Sequence, residues 1–101
     1  MKMFRQGDVL VMRIDAVPSG LSEVEKDNGK TVLAYGEVTG HSHSLVRGKL
    51  FRRDALTQFL ELDKLDFLRH EEHAPIKIGK GSYEVRQQRQ WSLAMVRRVS
   101  D

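Results

Sequence analysis

Residues 54–69, DALTQFLELDKLDFLR, decide the fold class because their apolar pattern fits both a helix and a strand. Leu56, Phe59 and Leu60 form a helical stripe, whereas Leu56 and Leu60 also fall on the alternate positions of an extended chain. A polar Asp-Lys pair at 63–64 interrupts the apolar residues. We interpret the stretch as two short strands joined at this pair, with one helix as the alternative.

Outward from this stretch, the chain consists of short segments rich in β-forming residues, separated by turns that contain glycine. Residues 47–49, Arg-Gly-Lys, predict a hairpin between the segments before and after them. Residues 22–30 are charged and end in Asn28-Gly29, which favours an exposed loop with a tight turn. The predicted strands are residues 8–14, 31–38, 44–46, 50–53, 74–78 and 82–91, with a further edge strand over 93–99.

This pattern predicts an all-β protein, a small antiparallel β-barrel or sandwich with at most one short helix. A length of 101 residues is that of a single domain. Cysteine is absent, which excludes a disulfide framework, a thiolate metal site and a cysteine nucleophile. No apolar run has the length of a signal peptide or of a membrane span, so we expect a cytoplasmic protein with no membrane partner.

The four histidines occur as two pairs, HSH at 41–43 and HEEH at 70–73. In an extended segment, the two histidines of an H-x-H sequence lie on the same face because side chains alternate. Imidazole is a common metal ligand near neutral pH. The sequence therefore predicts a divalent metal site with the ligands His41, His43, His70 and His73.

The number of histidines that bind determines the kind of site. A structural zinc site would use all four, whereas a catalytic site would use three and leave one position for water or substrate. Glu37, Glu71 and Glu72 are candidates for a carboxylate ligand or a general base. This mixture of nitrogen and oxygen donors suits Zn, Mn, Fe or Ni.

The last predicted strand, residues 82–91, places polar and apolar residues on one face. If Tyr83 faces the core, Gln87 and Arg89 must point the same way. Burying an unpaired amide or guanidinium is costly. We therefore expect these two side chains to line a wet cleft or to pair with a carboxylate such as Glu37 or Glu72. In an enzyme, we expect Arg89 to bind an anionic group of the ligand.

The H-x-H after a glycine-bearing strand resembles the metal site of cupins. Gly36 stands where cupins have a glycine several residues before this motif. The resemblance implies a cupin-like β fold with His41 and His43 as ligands, and His70 or His73 in the place of the later cupin histidine.

The chain departs from the cupin pattern in two places. Cupins have a glutamate four or five residues after the second histidine, but Arg47 and Gly48 stand here. The Pro-x-Gly of the second cupin motif should precede a histidine, whereas Pro75 and Gly79 follow His73. The sequences RQGDV at 5–9 and GEVTGHSH at 36–43 also resemble those of small bacterial or phage proteins, which implies no activity.

Three functions are compatible with these residues. The first is metal-dependent hydrolysis or isomerisation of a small polar or anionic ligand, with Glu37 or Glu72 as the base. The second is a metal-free site for phosphoester chemistry, in which His41 and His43 act as acid and base. The third is a nucleic-acid or protein-binding module, favoured by a net charge of +3 and by arginine clusters near Trp91. An uncovered edge strand could also form a homodimer.

Overall fold

The computed structural model describes residues 2–36 and 38–88, and these residues form ten β-strands and no helix. The all-β prediction is therefore confirmed for this part of the chain. No helix able to cross a membrane was found there. The strands are β1 (Met3–Gln6), β2 (Val9–Ile14), β3 (Ser22–Val24), β4 (Thr31–Tyr35), β5 (Ser42–Leu45), β6 (Lys49–Arg52), β7 (Thr57–Leu62), β8 (Asp66–Leu68), β9 (Ile76–Ile78) and β10 (Gly81–Gln87).

Six strands form one antiparallel sheet in the order β1-β2-β10-β7-β6-β3. The other four form two antiparallel ribbons, β4-β5 and β8-β9. A bridge between Ser44 and Arg69 joins the two ribbons side by side. The strands of the described residues do not close into a barrel.

The hydrophobic core takes side chains from the sheet and from both ribbons. Val11, Leu60 and Tyr83 come from the central strands of the sheet, while Leu45 and Leu68 come from the ribbons. Such burial stabilises a domain by about 1.5–3 kcal/mol for each large apolar side chain. The ribbons are therefore held against the sheet by the same core that holds the sheet together.

The stretch that decides the fold class is extended, as we predicted, in β7 and β8. Its helix-like pattern has a simple explanation in β7. Leu60 enters the core, whereas Phe59 points to the opposite face, where the guanidinium of Arg53 lies 5.0 Å from the centre of its ring. Burial on both faces of a central strand places apolar residues next to one another, which imitates a helical stripe.

The hairpin predicted around residues 47–49 is wrong. β5 pairs with β4, and β6 pairs with β7 and β3, so these residues connect a ribbon to the sheet. The carboxylate of Asp66 accepts hydrogen bonds from the backbone N–H groups of Val46 and Arg47. The ammonium of Lys26 donates to the carbonyl oxygens of Val46 and Gly48. These two side chains thus provide hydrogen-bond partners for backbone groups that would pair with each other in a hairpin.

The segment over residues 22–30 differs in part from its prediction as a loop. Its beginning forms the edge strand β3, but its end contains the expected tight turn, with positive φ at Asn28 and Gly29. β1 was not predicted. The last predicted strand is present as β10, while its end, including Arg89, and the edge strand expected over residues 93–99 lie outside the described residues.

Candidate metal centre

The four histidines come together where the two ribbons meet. His43 lies on β5 and His41 immediately before it, while His70 and His73 lie in the connection from β8 to β9. The backbones of Ser44 and Arg69 exchange hydrogen bonds, which places the two segments side by side. Ring centroids lie 4.2 Å apart for His43 and His70, 4.8 Å for His70 and His73, and 5.6 Å for His41 and His70.

Two glycines allow this close approach. A Cβ atom on Gly36 would lie 2.9 Å from the Cβ of His41 and 3.3 Å from Nε2 of His70. A Cβ atom on Gly7 would lie 2.9 Å from Nε2 of His73, and Gly7 also has a positive φ of 58°. The imidazoles therefore occupy space that a larger residue at either position would fill.

Three side chains place possible ligand atoms close enough to share one ion. One ring nitrogen each from His41 and His70 and one carboxylate oxygen of Glu71 lie within 4.8 Å of one another. The Glu71 carboxylate also accepts a hydrogen bond from the backbone N–H of Ser42. This hydrogen bond lowers the pKa of Glu71, so the carboxylate is negatively charged near neutral pH.

His43 is held in one protonation state by its surroundings. It is buried, with only 3% of its surface exposed, and its Nδ1 lies 3.0 Å from Oε1 of Gln6. Burial, together with the charge of neighbouring His70, lowers the pKa of His43 to about 4. The ring is therefore neutral near pH 7, as metal binding requires.

Asp8 connects His43 to β10, a central strand of the sheet. Its Oδ1 lies 3.5 Å from Nε2 of His43, and its Oδ2 accepts a hydrogen bond from Nε2 of Gln87. We expected a carboxylate to pair with Gln87, but named Glu37 or Glu72 for this role. The carboxylate that pairs with Gln87 is that of Asp8, on the turn between β1 and β2.

Glu72 also reaches the cluster. Its Oε2 lies 3.3 Å from Nδ1 of His41, an atom that is buried and makes no hydrogen bond of good geometry within the described residues. The backbone N–H of Glu72 donates to Nδ1 of His70. In a neutral His70 ring, this acceptor role places the proton on Nε2.

The structure thus brings together His41, His43, His70, His73 and Glu72, all of which the sequence suggested. Glu37 and Arg89 lie outside the described residues. Gln6 and Asp8 were not predicted as part of the site, because Gln-Gly-Asp at 6–8 has the composition of an ordinary turn. Their contacts with His43 join positions more than thirty residues apart, and no local pattern encodes such a contact.

The fold and this cluster define a class: a small antiparallel β domain with an open cleft lined by histidines and carboxylates. The chain belongs to the family described as Domain of unknown function (DUF8820), whose model matches residues 5–88. No curated protein and no solved structure matched the chain.

Proposed function

We propose that this cluster binds a divalent metal ion, with His41, His70 and Glu71 as its ligands and with His43 and His73 as further nitrogen donors in the adjoining cleft. The observation that carries the proposal is the separation of less than 4.8 Å among the first three ligand atoms. Three ligand atoms bonded to one ion at about 2.0–2.2 Å lie about 3.3–3.8 Å from one another. Small side-chain movements therefore bring all three atoms onto one ion.

Binding has one identifiable cost. To bind through Nε2, His70 must carry its proton on Nδ1 and lose the hydrogen bond from the Glu72 backbone. A hydrogen bond of this kind contributes about 0.5–1.5 kcal/mol. Structural zinc sites bind their ion with about 10–16 kcal/mol, so a cost of this size is small in comparison. The mixed donors favour Zn, Mn, Fe or Ni.

The shape of the cleft supports a catalytic rather than a closed structural site. The cleft has a volume of about 280 Å³ and is lined by His41 and His70, though not by Glu71, and by the exposed side chains of Tyr35 and Val38. A bound ion would therefore keep a position open to water or to a small polar substrate, as in hydrolysis or isomerisation. In this proposal the base is Glu72, whose Oε2 lies 3.3 Å from Nδ1 of His41, or alternatively Glu37, and Arg89 binds an anionic group of the substrate. The proposed site shares with cupins only the H-x-H formed by His41 and His43.

The first test is metal content, measured by elemental analysis and by calorimetric titration of the full chain with Zn²⁺. We expect the wild type to bind the metal and Glu71→Gln to bind it at least tenfold more weakly, because the amide removes the ligand charge. Glu61→Gln is the matched control, since Glu61 is an exposed acid on β7 that lines a different cleft and is not part of the His41, His70 and Glu71 group.

Equal affinities for the wild type and Glu71→Gln would exclude Glu71 as a ligand. If the wild type bound no divalent metal, even after reconstitution, the proposal would be wrong. The basic cleft of about 640 Å³ that Lys26, Arg47, Lys49 and Lys80 help to line would then be the better functional candidate, as a site for phosphate-rich partners.

A second prediction uses the close packing around Gly36. Gly36→Ala should weaken metal binding at least tenfold, because the new methyl group displaces His41 and crowds Nε2 of His70. Gly79→Ala is the control, because a Cβ there meets no atom within 4 Å and its φ is not in the left-handed region. Calorimetric titration compares the two variants. Equal affinities would show that the positions of His41 and His70 do not determine binding.

A further inference from the structure

We infer that the cleft has a second cation position, formed by Nε2 of His43 and Oδ1 of Asp8, in addition to the one formed by His41, His70 and Glu71. This inference rests on the metal-binding function proposed above. It assigns a ligand role to Asp8, and it predicts that one chain binds two divalent ions rather than one.

The orientation of the Gln6 amide establishes which nitrogen of His43 is free. Nε2 of Gln6 donates to the carbonyl oxygens of Leu68 and Ala74, at 2.9 and 3.0 Å. A flipped amide would place its oxygen against both carbonyl oxygens, so the orientation is determined by its partners. Oε1 of Gln6 must then accept a hydrogen bond from the Nδ1–H of His43. The neutral ring therefore carries its lone pair on Nε2.

This lone pair faces another acceptor. Nε2 of His43 and Oδ1 of Asp8 lie 3.5 Å apart and form no hydrogen bond, because the ring proton is on Nδ1, where Gln6 accepts it. A cation between the two atoms converts this repulsive contact into two favourable ones. With bonds of about 2.0–2.1 Å to each atom, this separation corresponds to an angle of about 115° at the ion, near that of tetrahedral zinc.

The stacking of His43 on His70 separates this position from the first one. The two rings lie 4.2 Å apart with an angle of 28° between their planes. Because a ring nitrogen binds a metal in the plane of its ring, two nearly parallel stacked rings direct their lone pairs towards different points. Consistent with this, the group formed by His41, His70 and Glu71 does not include His43.

The surroundings of the pair suit a bound ion. Gln6 holds Nδ1 of His43 and Gln87 holds Oδ2 of Asp8, so each ligand is oriented by a hydrogen bond to its other polar atom. Such bonds orient the ligands of known metal sites. His73 offers a further donor, because its Nε2 lies close to Gly7, next to Asp8 in the chain.

The experiment counts ions bound to the full chain by native mass spectrometry and calorimetric titration with Zn²⁺. We expect two ions for the wild type and one each for Asp8→Asn and Glu71→Gln. Asparagine has the shape of aspartate and can still accept the hydrogen bond from Gln87, so this variant should keep the fold. As a readout that needs no variant, the ¹⁵N resonance of His43 Nε2 should shift when Zn²⁺ is added to the wild type.

Each outcome has one meaning. One ion in the wild type, lost in Glu71→Gln and retained in Asp8→Asn with no shift of His43 Nε2, would overturn the second position and leave the proposed function intact. One ion lost in Asp8→Asn and retained in Glu71→Gln would also overturn the inference of two positions, and would move the single site to His43 and Asp8. No ion in the wild type would overturn both proposals.

Discussion

Gln6→Leu should destabilise the metal-free protein by about 2–4 kcal/mol, although leucine is close to glutamine in size. Gln6 is almost fully buried, and its side chain makes three hydrogen bonds, to Leu68, Ala74 and His43. Leucine leaves two carbonyl oxygens and one imidazole N–H without these partners. Each unsatisfied buried group costs about 1–3 kcal/mol, and the greater hydrophobicity of leucine offsets part of the sum. Urea denaturation in the presence of a chelator measures the difference.

Gln58→Leu is the matched control for this prediction. Gln58 also reaches from the sheet to a ribbon, where it donates to the carbonyl oxygen of Leu33, but it is only half-buried and its oxygen pairs with exposed Arg52. Water can replace its partners, so we expect a loss of less than about 1 kcal/mol. If the two variants lose equal stability, Gln6 is not the polar connection between β1 and the segment after β8 that the structure indicates.

How much of the fold was predictable depends on how far apart in the sequence the interacting residues lie. Local signals were sufficient for the all-β class, for β2 and for the turn at Asn28 and Gly29, because alternation and turn chemistry act within a few residues. Which strands pair with one another was not predictable from such local signals. The residues after β5 resemble a hairpin turn, and only the distant side chains of Lys26 and Asp66 show that they connect two layers.

The same distinction applies to the candidate site. The paired histidines were visible in the sequence because their spacing is unusual. Asp8 and Gln6 were not, since their contacts with His43 arise only when β1, β2 and β5 pack around one cleft. Gly7 and Gly36 are similar cases, because their importance lies in the imidazoles that approach them rather than in the turns they form.

The stability of the metal-free protein should fall as the pH is lowered from about 6.5 to about 4, because His43 binds its proton more weakly in the folded state. Burial and the neighbouring His70 lower its pKa from 6.5 to about 4. Within this window the unfolded chain takes up a proton that the folded protein does not, so acid favours unfolding. Above 6.5 neither state is protonated, and below 4 both are. A shift of this size corresponds to roughly 3 kcal/mol.

His43→Asn isolates this contribution from that of the carboxylates, which titrate mostly at lower pH. An asparagine amide can still donate to Oε1 of Gln6, but it has no proton to gain in this range. Urea denaturation of both proteins at several pH values, with a chelator present, gives the two slopes. We expect the wild type to lose roughly 3 kcal/mol more than the variant between pH 7 and pH 4. Parallel slopes would mean that His43 is as easily protonated in the folded protein as in the unfolded chain, and that its ring is not kept neutral by the cleft.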